Sequence, residues 1–228
     1  MLHSRKVIAL VPIKGHSEKV LKKNFREFGG KPLYQNILGE LEKTFAIDEI
    51  VINTDSELVA KEAPILFNKV RIVPRPRELQ GDAVSVNRLI EHDLGLSGGD
   101  IYVQTHATNP LLKAETIARA LKLFIEKEEV NEADSLFSVT KYKSRFYNHL
   151  GEPINHNPDE LLRTDELFSV NEENSCLYIF TSDSFQKCGR RIGFNAICFE
   201  TPRVESIDIE DDFSYKLAEL LSLYSHVS

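Results

Sequence analysis

Val7-Ile8-Ala9-Leu10-Val11-Pro12-Ile13-Lys14-Gly15-His16-Ser17 is the stretch whose reading decides the fold. An apolar run, Val7 to Val11, ends in a proline and gives way at once to a polar loop. Lys22-Lys23-Asn24 and Gly29-Gly30-Lys31-Pro32-Leu33 follow. A buried strand that opens into a glycine- and lysine-bearing loop is how an α/β protein builds a phosphate site at the carboxyl end of its first strand. Lys14, Lys19, Lys22, Lys23 and Lys31 gather there, where an anion needs neutralising. The loop is neither a Walker A motif nor a G-x-G-x-x-G fingerprint, because neither spacing occurs. The plainer reading is a set of solvated lysines, with Gly15 or Gly30 serving a turn.

Outward from this stretch, strand-like runs alternate with helical patterns. Leu33 to Thr44 carries apolar residues at helical spacing, and Glu49 to Asn53 is the next strand, closed by Thr54-Asp55. Ser56 to Ala63 reads as a short helix with Ser56 as N-cap. Val70 to Val73, Ile101 to Gln104, Ser135 to Val139, Leu177 to Thr181 and Ala196 to Phe199 read as strands. Ser85 to Leu94, Ala114 to Glu128 and Phe213 to Leu223 read as helices. The alternation predicts a doubly wound, mostly parallel α/β sheet with helices on both faces. Between Lys141 and Asn174 the periodicity fades into Asn, Asp, Glu and Pro. Residues 141–174 are therefore expected to form an arm on a single domain spanning 1–228.

The chain has 228 residues, 42% hydrophobic and 28% charged, which suits one globular domain with a large core. A formal net charge of -7 argues against a general nucleic-acid binder and against an anionic membrane surface. Cys176, Cys188 and Cys198 lack C-x-x-C spacing and read as reduced thiols. With no apolar run of membrane-spanning length and no signal-peptide core, the expected location is cytoplasmic.

The order of motifs resembles the acylneuraminate cytidylyltransferase family, the enzymes that make CMP-sialic acid and related CMP-sugars. The family opening, I-P-A-R-x-x-S-K…K-N…G-K-P-L, is matched by Val11-Pro12-Ile13-Lys14-Gly15-His16-Ser17-Glu18, Lys23-Asn24 and Gly30-Lys31-Pro32-Leu33. Thr54-Asp55 matches its T-D, and Arg75 to Asp82 its R-P-x-x-L-x-x-D loop. Gln104 to Leu111 matches Q-x-x-x-T-S-P-L, with Asn109 in place of serine. Asp208-Ile209-Glu210 matches its D-I-D metal motif. Lys14 stands for an arginine, Glu18 for a lysine and Glu210 for an aspartate. Lysine keeps the charge but loses the bidentate fork.

The resemblance implies a nucleotide-diphospho-sugar transferase-like fold with a small dimerisation arm, hence a homodimer. It implies transfer of CMP from CTP to a nine-carbon 2-keto sugar acid, sialic acid or a related nonulosonate, with release of pyrophosphate. By resemblance Lys14, Lys23 and Asp208 are catalytic, and Lys14, Gly15, Ser17, Lys23, Asn24, Arg75 and Asp82 bind the nucleotide. Gln104, His106, Arg163 and Asn174 are expected at the sugar, and Asp208 and Glu210 at Mg²⁺. Arg190 and Arg191 join Arg163 as candidates for the acid's carboxylate, because arginine's planar fork matches one. Each has a bland alternative. Asp208 and Glu210 can be a solvated turn before a helix that Asp211 or Asp212 caps. Asp82 can be a helix N-terminal acid, His106 a hydrogen-bonded structural group, and Arg163 a surface balance for Asp165 and Glu166. The rival functions are the same reaction on the eight-carbon acid KDO, and a non-catalytic nucleotide-binding module of the same fold. KDO enzymes usually carry K-P where this chain has Lys23-Asn24.

Overall fold

The computed structural model describes residues 5–15, 23–81 and 83–224. In chain order the elements are β1 (Val7–Leu10), β2 (Glu27–Phe28), β3 (Lys31–Pro32), α1 (Tyr34–Lys43), β4 (Glu49–Thr54), α2 (Glu57–Leu66) and β5 (Val70–Pro74). Then come α3 (Val86–Ser97), β6 (Ile101–Gln104), α4 (Ala114–Glu129), β7 (Ser135–Tyr142), β8 (Val170–Thr181), α5 (Ser182–Cys188), β9 (Ala196–Glu200) and α6 (Asp212–Tyr224). Seven strands form one sheet in the order β5-β4-β1-β6-β8-β7-β9. β8 alone runs against its neighbours β6 and β7; the other pairings are parallel. The sheet is the expected doubly wound, mostly parallel one.

β1 is central and buried along its whole length. Its residues alternate between two cores, as strand side chains must. Val7, Ala9 and Val11 pack with Ile37, Leu41, Ile117 and Phe124 of α1 and α4. Ile8 and Leu10 pack with Ile90 of α3, Phe185 of α5 and Tyr102 and Phe180 of the sheet. Strand order grows outward from β1 in both directions, so the crevice at the carboxyl ends of β1 and β6 is the topological switch point where such sheets bind ligands. A third cluster seats α6 on the small β2–β3 hairpin through Phe28, Leu33, Leu111, Ile209, Tyr215 and Ala218.

One sequence expectation changes. Lys141 and Tyr142 belong to β7, and Val170 to Asn174 begin β8, with Val170 to Glu173 paired residue for residue with Tyr142 to Val139. What leaves the sheet is therefore the shorter connection 143–169. Its partner strand was hidden because Asn171, Glu172 and Glu173 are exposed. Gly29 and Gly30 both have positive φ, +60° and +81°, and turn the β2–β3 hairpin. That is the requirement of a type I′ turn.

Candidate active site

The first loop is anchored before it is charged. Ile13 pairs with Thr54 in a parallel bridge. The Gly15 N–H donates to Asp55 Oδ1 at 2.7 Å, and a Cβ on Gly15 would lie 3.4 Å from Ser56. Asn24, nearly buried, donates Nδ2 to the Lys14 carbonyl at 3.0 Å, closing the loop on itself. Lys23 starts a one-turn 3₁₀ segment, and its ammonium donates to the carbonyl of Ile209, 186 positions away in sequence. This contact lays the basic loop directly against the acidic segment.

Asp208 and Glu210 flank Ile209 and point away from it. Ile209 is fully buried under α6, while Asp208 and Glu210 line a cavity of about 510 Å³. Glu172, Glu173 and Asn174 of β8 line it too. Asp211 serves the helix: its Oδ1 accepts the Ser214 N–H at 2.8 Å, and that bond holds its carboxyl below the usual range. Among the described residues no group of three His, Cys, Asp or Glu is gathered for a metal ion. Two nearby carboxylates nonetheless suit Mg²⁺, which keeps waters and shares substrate phosphates rather than filling a protein cage.

Gln104, at the end of β6, is fully buried. Its Nε2 donates to the Thr105 carbonyl at 2.9 Å and lies 3.2 Å from His106 Nε2. Its Oε1 accepts from Arg191 Nη1 at 2.6 Å. Burial, with the cations of Arg191 and Lys23 alongside, drives His106 down to about 3. The imidazole is therefore neutral at pH 7 and cannot deliver a proton as imidazolium.

The remaining candidates are engaged in contacts of their own. Arg75 is buried at the end of β5, where it donates Nε to Asn53 Oδ1 at 2.8 Å and Nη2 to the Asn53 carbonyl at 2.7 Å. Asn53 in turn donates to the buried Asp93 at 2.6 Å, so Arg75 braces the strand ends under the loop. Asn174 is buried, with both amide atoms bonded to Ser138, Thr140, Thr201 and the Cys176 N–H. Arg163 is exposed in the 143–169 connection and pairs with Asp165 at 3.2 Å; among the described residues no contact joins it to another candidate. Arg190 rests near the Phe194 ring instead. Lys31 corrects the picture of one basic cluster: its ammonium lies against Gly39, with Glu40, Lys43 and Lys113 nearest in charge. The β2–β3 turn carries it to the helix layer. Ser17 and Asp82, with His16, Glu18, Lys19 and Lys22, lie outside the described residues. Sequence reasoning missed Asp55 as the loop's anchor and the Tyr178–Arg191 stack; neither has a local motif. All three cysteines are free, and burial pushes the Cys176 thiol up, which leaves it inert.

With this geometry, known proteins resemble the chain along its whole length. Pseudaminic acid cytidylyltransferase of Campylobacter jejuni is 22% identical over 98% of this chain and 99% of that protein. N-acylneuraminate cytidylyltransferase A of Danio rerio is 24% identical over 95% of this chain and 50% of that protein. A solved structure of CMP:2-keto-3-deoxy-manno-octonic acid synthetase complexed with CTP superposes with a TM-score of 0.67, covering 98% of this chain and 100% of that one at 12% identity, and so supports the fold. The family model described as cytidylyltransferase matches residues 8–207, from the middle of β1 to the residue before Asp208. The chain belongs to the cytidylyltransferase family.

Proposed function

We propose that this chain transfers CMP from CTP to a nine-carbon 2-keto sugar acid, sialic acid or a related nonulosonate. The acid's hydroxyl oxygen forms a bond to the α-phosphorus of CTP, the bond to the bridging oxygen breaks, and pyrophosphate leaves. The hydroxyl proton passes to solvent. The observation that carries the reading is the Lys23–Ile209 contact, which joins the basic loop to the acidic segment beside the switch point. The full-length likeness to a pseudaminic acid cytidylyltransferase supports the acceptor class. Lys14 and Lys23 neutralise the triphosphate, and Gly15 and Asn24 shape the loop around it, so that catalysis is mainly positioning and charge stabilisation. Asp208 and Glu210 are the residues that would hold Mg²⁺, which would supply charge neutralisation at the phosphates. Gln104 and His106 face the acceptor.

The same reading includes a cytoplasmic homodimer. Tyr147, Leu150, Ile154, Leu161 and Phe168 of the 143–169 connection are large, apolar and exposed, which suits burial against a second copy. No described helix is long and apolar enough to cross a membrane. The test is pyrophosphate release with CTP against pseudaminic, legionaminic and N-acetylneuraminic acids and KDO, with UTP as control. Turnover of a nonulosonate with CTP alone is the expected result. Release only with KDO moves the acceptor to the eight-carbon class, and no release with any acid leaves a binding module. A single 26.0 kDa species by light scattering at micromolar concentration would remove the dimer.

A further inference from the structure

One cation at the switch point has no role in the chemistry above. Arg191 lies in the connection between α5 and β9, with its side chain only 18% exposed. Its guanidinium stacks on the Tyr178 ring at 3.5 Å. Nη1 donates to Gln104 Oε1 at 2.6 Å and sits 3.3 Å from His106 Nε2. Nη2 has the Glu173 carboxylate at 3.9 Å, too far for a hydrogen bond. The plane of the fork is thus fixed by stacking and by one nitrogen, while the other nitrogen keeps donors to give.

A buried guanidinium is costly unless a close anion compensates it. Here the only carboxylate within 4 Å among the described residues is that loose Glu173, whose own nearer partner is the Tyr178 hydroxyl. His106 is neutral and offers no charge. Arg191 is the cation in contact with that imidazole, and the charge of Lys23 in the nucleotide loop adds to the positive field there. Such a seat is built for an anion that arrives with the substrate, and a planar fork favours a carboxylate.

We infer that Arg191, fixed by Tyr178, Gln104 and His106, is the group that reads the carboxylate of the acceptor acid. This rests on the proposed acceptor class. The test compares the wild-type chain with Arg191→Lys and Arg191→Met, using pseudaminic acid and its C1 primary amide. Losing a charge-assisted bidentate pair should raise the KM for the acid roughly 30-fold or more, with kcat within about threefold. Arg191→Lys keeps the charge without the fork and should fall between. The amide, a poor substrate for the wild type, should be nearly indifferent to either change. CTP affinity, measured by calorimetry, should move less than twofold. Equal losses on acid and amide overturn the inference, and so does a fall in CTP affinity with the acid's KM unchanged, which would make Arg191 a triphosphate ligand. Calorimetric binding of pseudaminic acid without CTP reads the same contact without turnover. Arg191-dependent binding in a chain that releases no pyrophosphate would keep the seat and sink the transfer reaction. Arg191-independent binding would sink the seat alone.

Discussion

Asn174 separates a ligand from a structural knot. Its Oδ1 accepts from Ser138 Oγ at 2.6 Å and from the Cys176 N–H at 3.2 Å. Its Nδ2 donates to Thr140 Oγ1 at 3.1 Å and to Thr201 Oγ1 at 2.7 Å. The residue sits where the β7–β8 register shifts, beside Ser175 at a φ of 58°. In Asn174→Ala the three hydroxyls can turn to other partners, so each lost bond costs about 1 kcal/mol. The Cys176 N–H is fixed and buried, and leaving it bare costs about 1–3 kcal/mol. The total is about 4–6 kcal/mol before relaxation, and repacking into the space should bring it to about 3–4 kcal/mol. That corresponds to a drop of roughly 6–16 °C in Tm for a chain of this size. Urea unfolding followed by circular dichroism measures it, with KM for the acid taken on the folded fraction. A loss under about 1 kcal/mol together with a tenfold rise in that KM would refute the argument and return Asn174 to the sugar.

Lys23→Met should lower turnover by roughly a hundred- to a thousandfold, the usual cost of one preorganised charge donor, whereas Lys31→Ala should stay within about twofold; steady-state kinetics of both decides whether the basic residues act as one cluster. Asp208→Ala should lower turnover by roughly a thousandfold with little change in Tm, Glu210→Asp should be tolerated, and near-normal activity of Asp208→Ala at limiting Mg²⁺ would remove the metal assignment. His106, held down to about 3 in the fold against about 6.5 when unfolded, should stay neutral by histidine NMR from pH 8 to pH 5. Since only the unfolded chain takes up this proton, its contribution to stability is complete above about pH 6.5 and falls by about 1.4 kcal/mol per unit as pH drops toward 3, a slope that His106→Gln should lack; a His106 midpoint near 6.5 in the native protein would overturn the buried-neutral picture.

The fold was legible wherever burial imposed a period. The Val7–Val11 run, the Ser56 cap and the apolar stripe of α4 all lie where their patterns put them, and Ser56 Oγ does accept the Val59 N–H at 3.3 Å. Short or half-wet elements left no such trace. β2 and β3 are two residues each, and α5 is seven residues held by a reciprocal Thr181–Ser184 cap. The first half of β8 is polar because its side chains face the cavity and solvent. Among the candidates, Lys23, Asn24, Gln104 and His106 could be proposed from sequence because each lies at or beyond the carboxyl end of a buried strand. The direction of a side chain is another matter. Lys31 follows the loop in sequence, yet a glycine turn carries it away. Arg191 is 87 positions from Gln104, and only the antiparallel insertion of β8 beside β6 places Tyr178 under its guanidinium.

That reversed strand also sorts the connections by length. At the amino-terminal edge of the parallel strands run 44–48, 67–69, 98–100 and 130–134, all short. From the opposite edge start the connections that follow Leu10, Pro74, Gln104, Tyr142 and Glu200, and the longest of them, 143–169, is there because β8 turns back. Short connections hold strand order and tolerate little change, whereas long surface connections accept insertion and substitution readily. Selection for a new acceptor can therefore rewrite one rim of the molecule while the other keeps the chain foldable. For engineering, the same asymmetry directs randomised libraries to 143–169, and reserves the tight turns at 67–69 and 98–100 as positions to leave untouched.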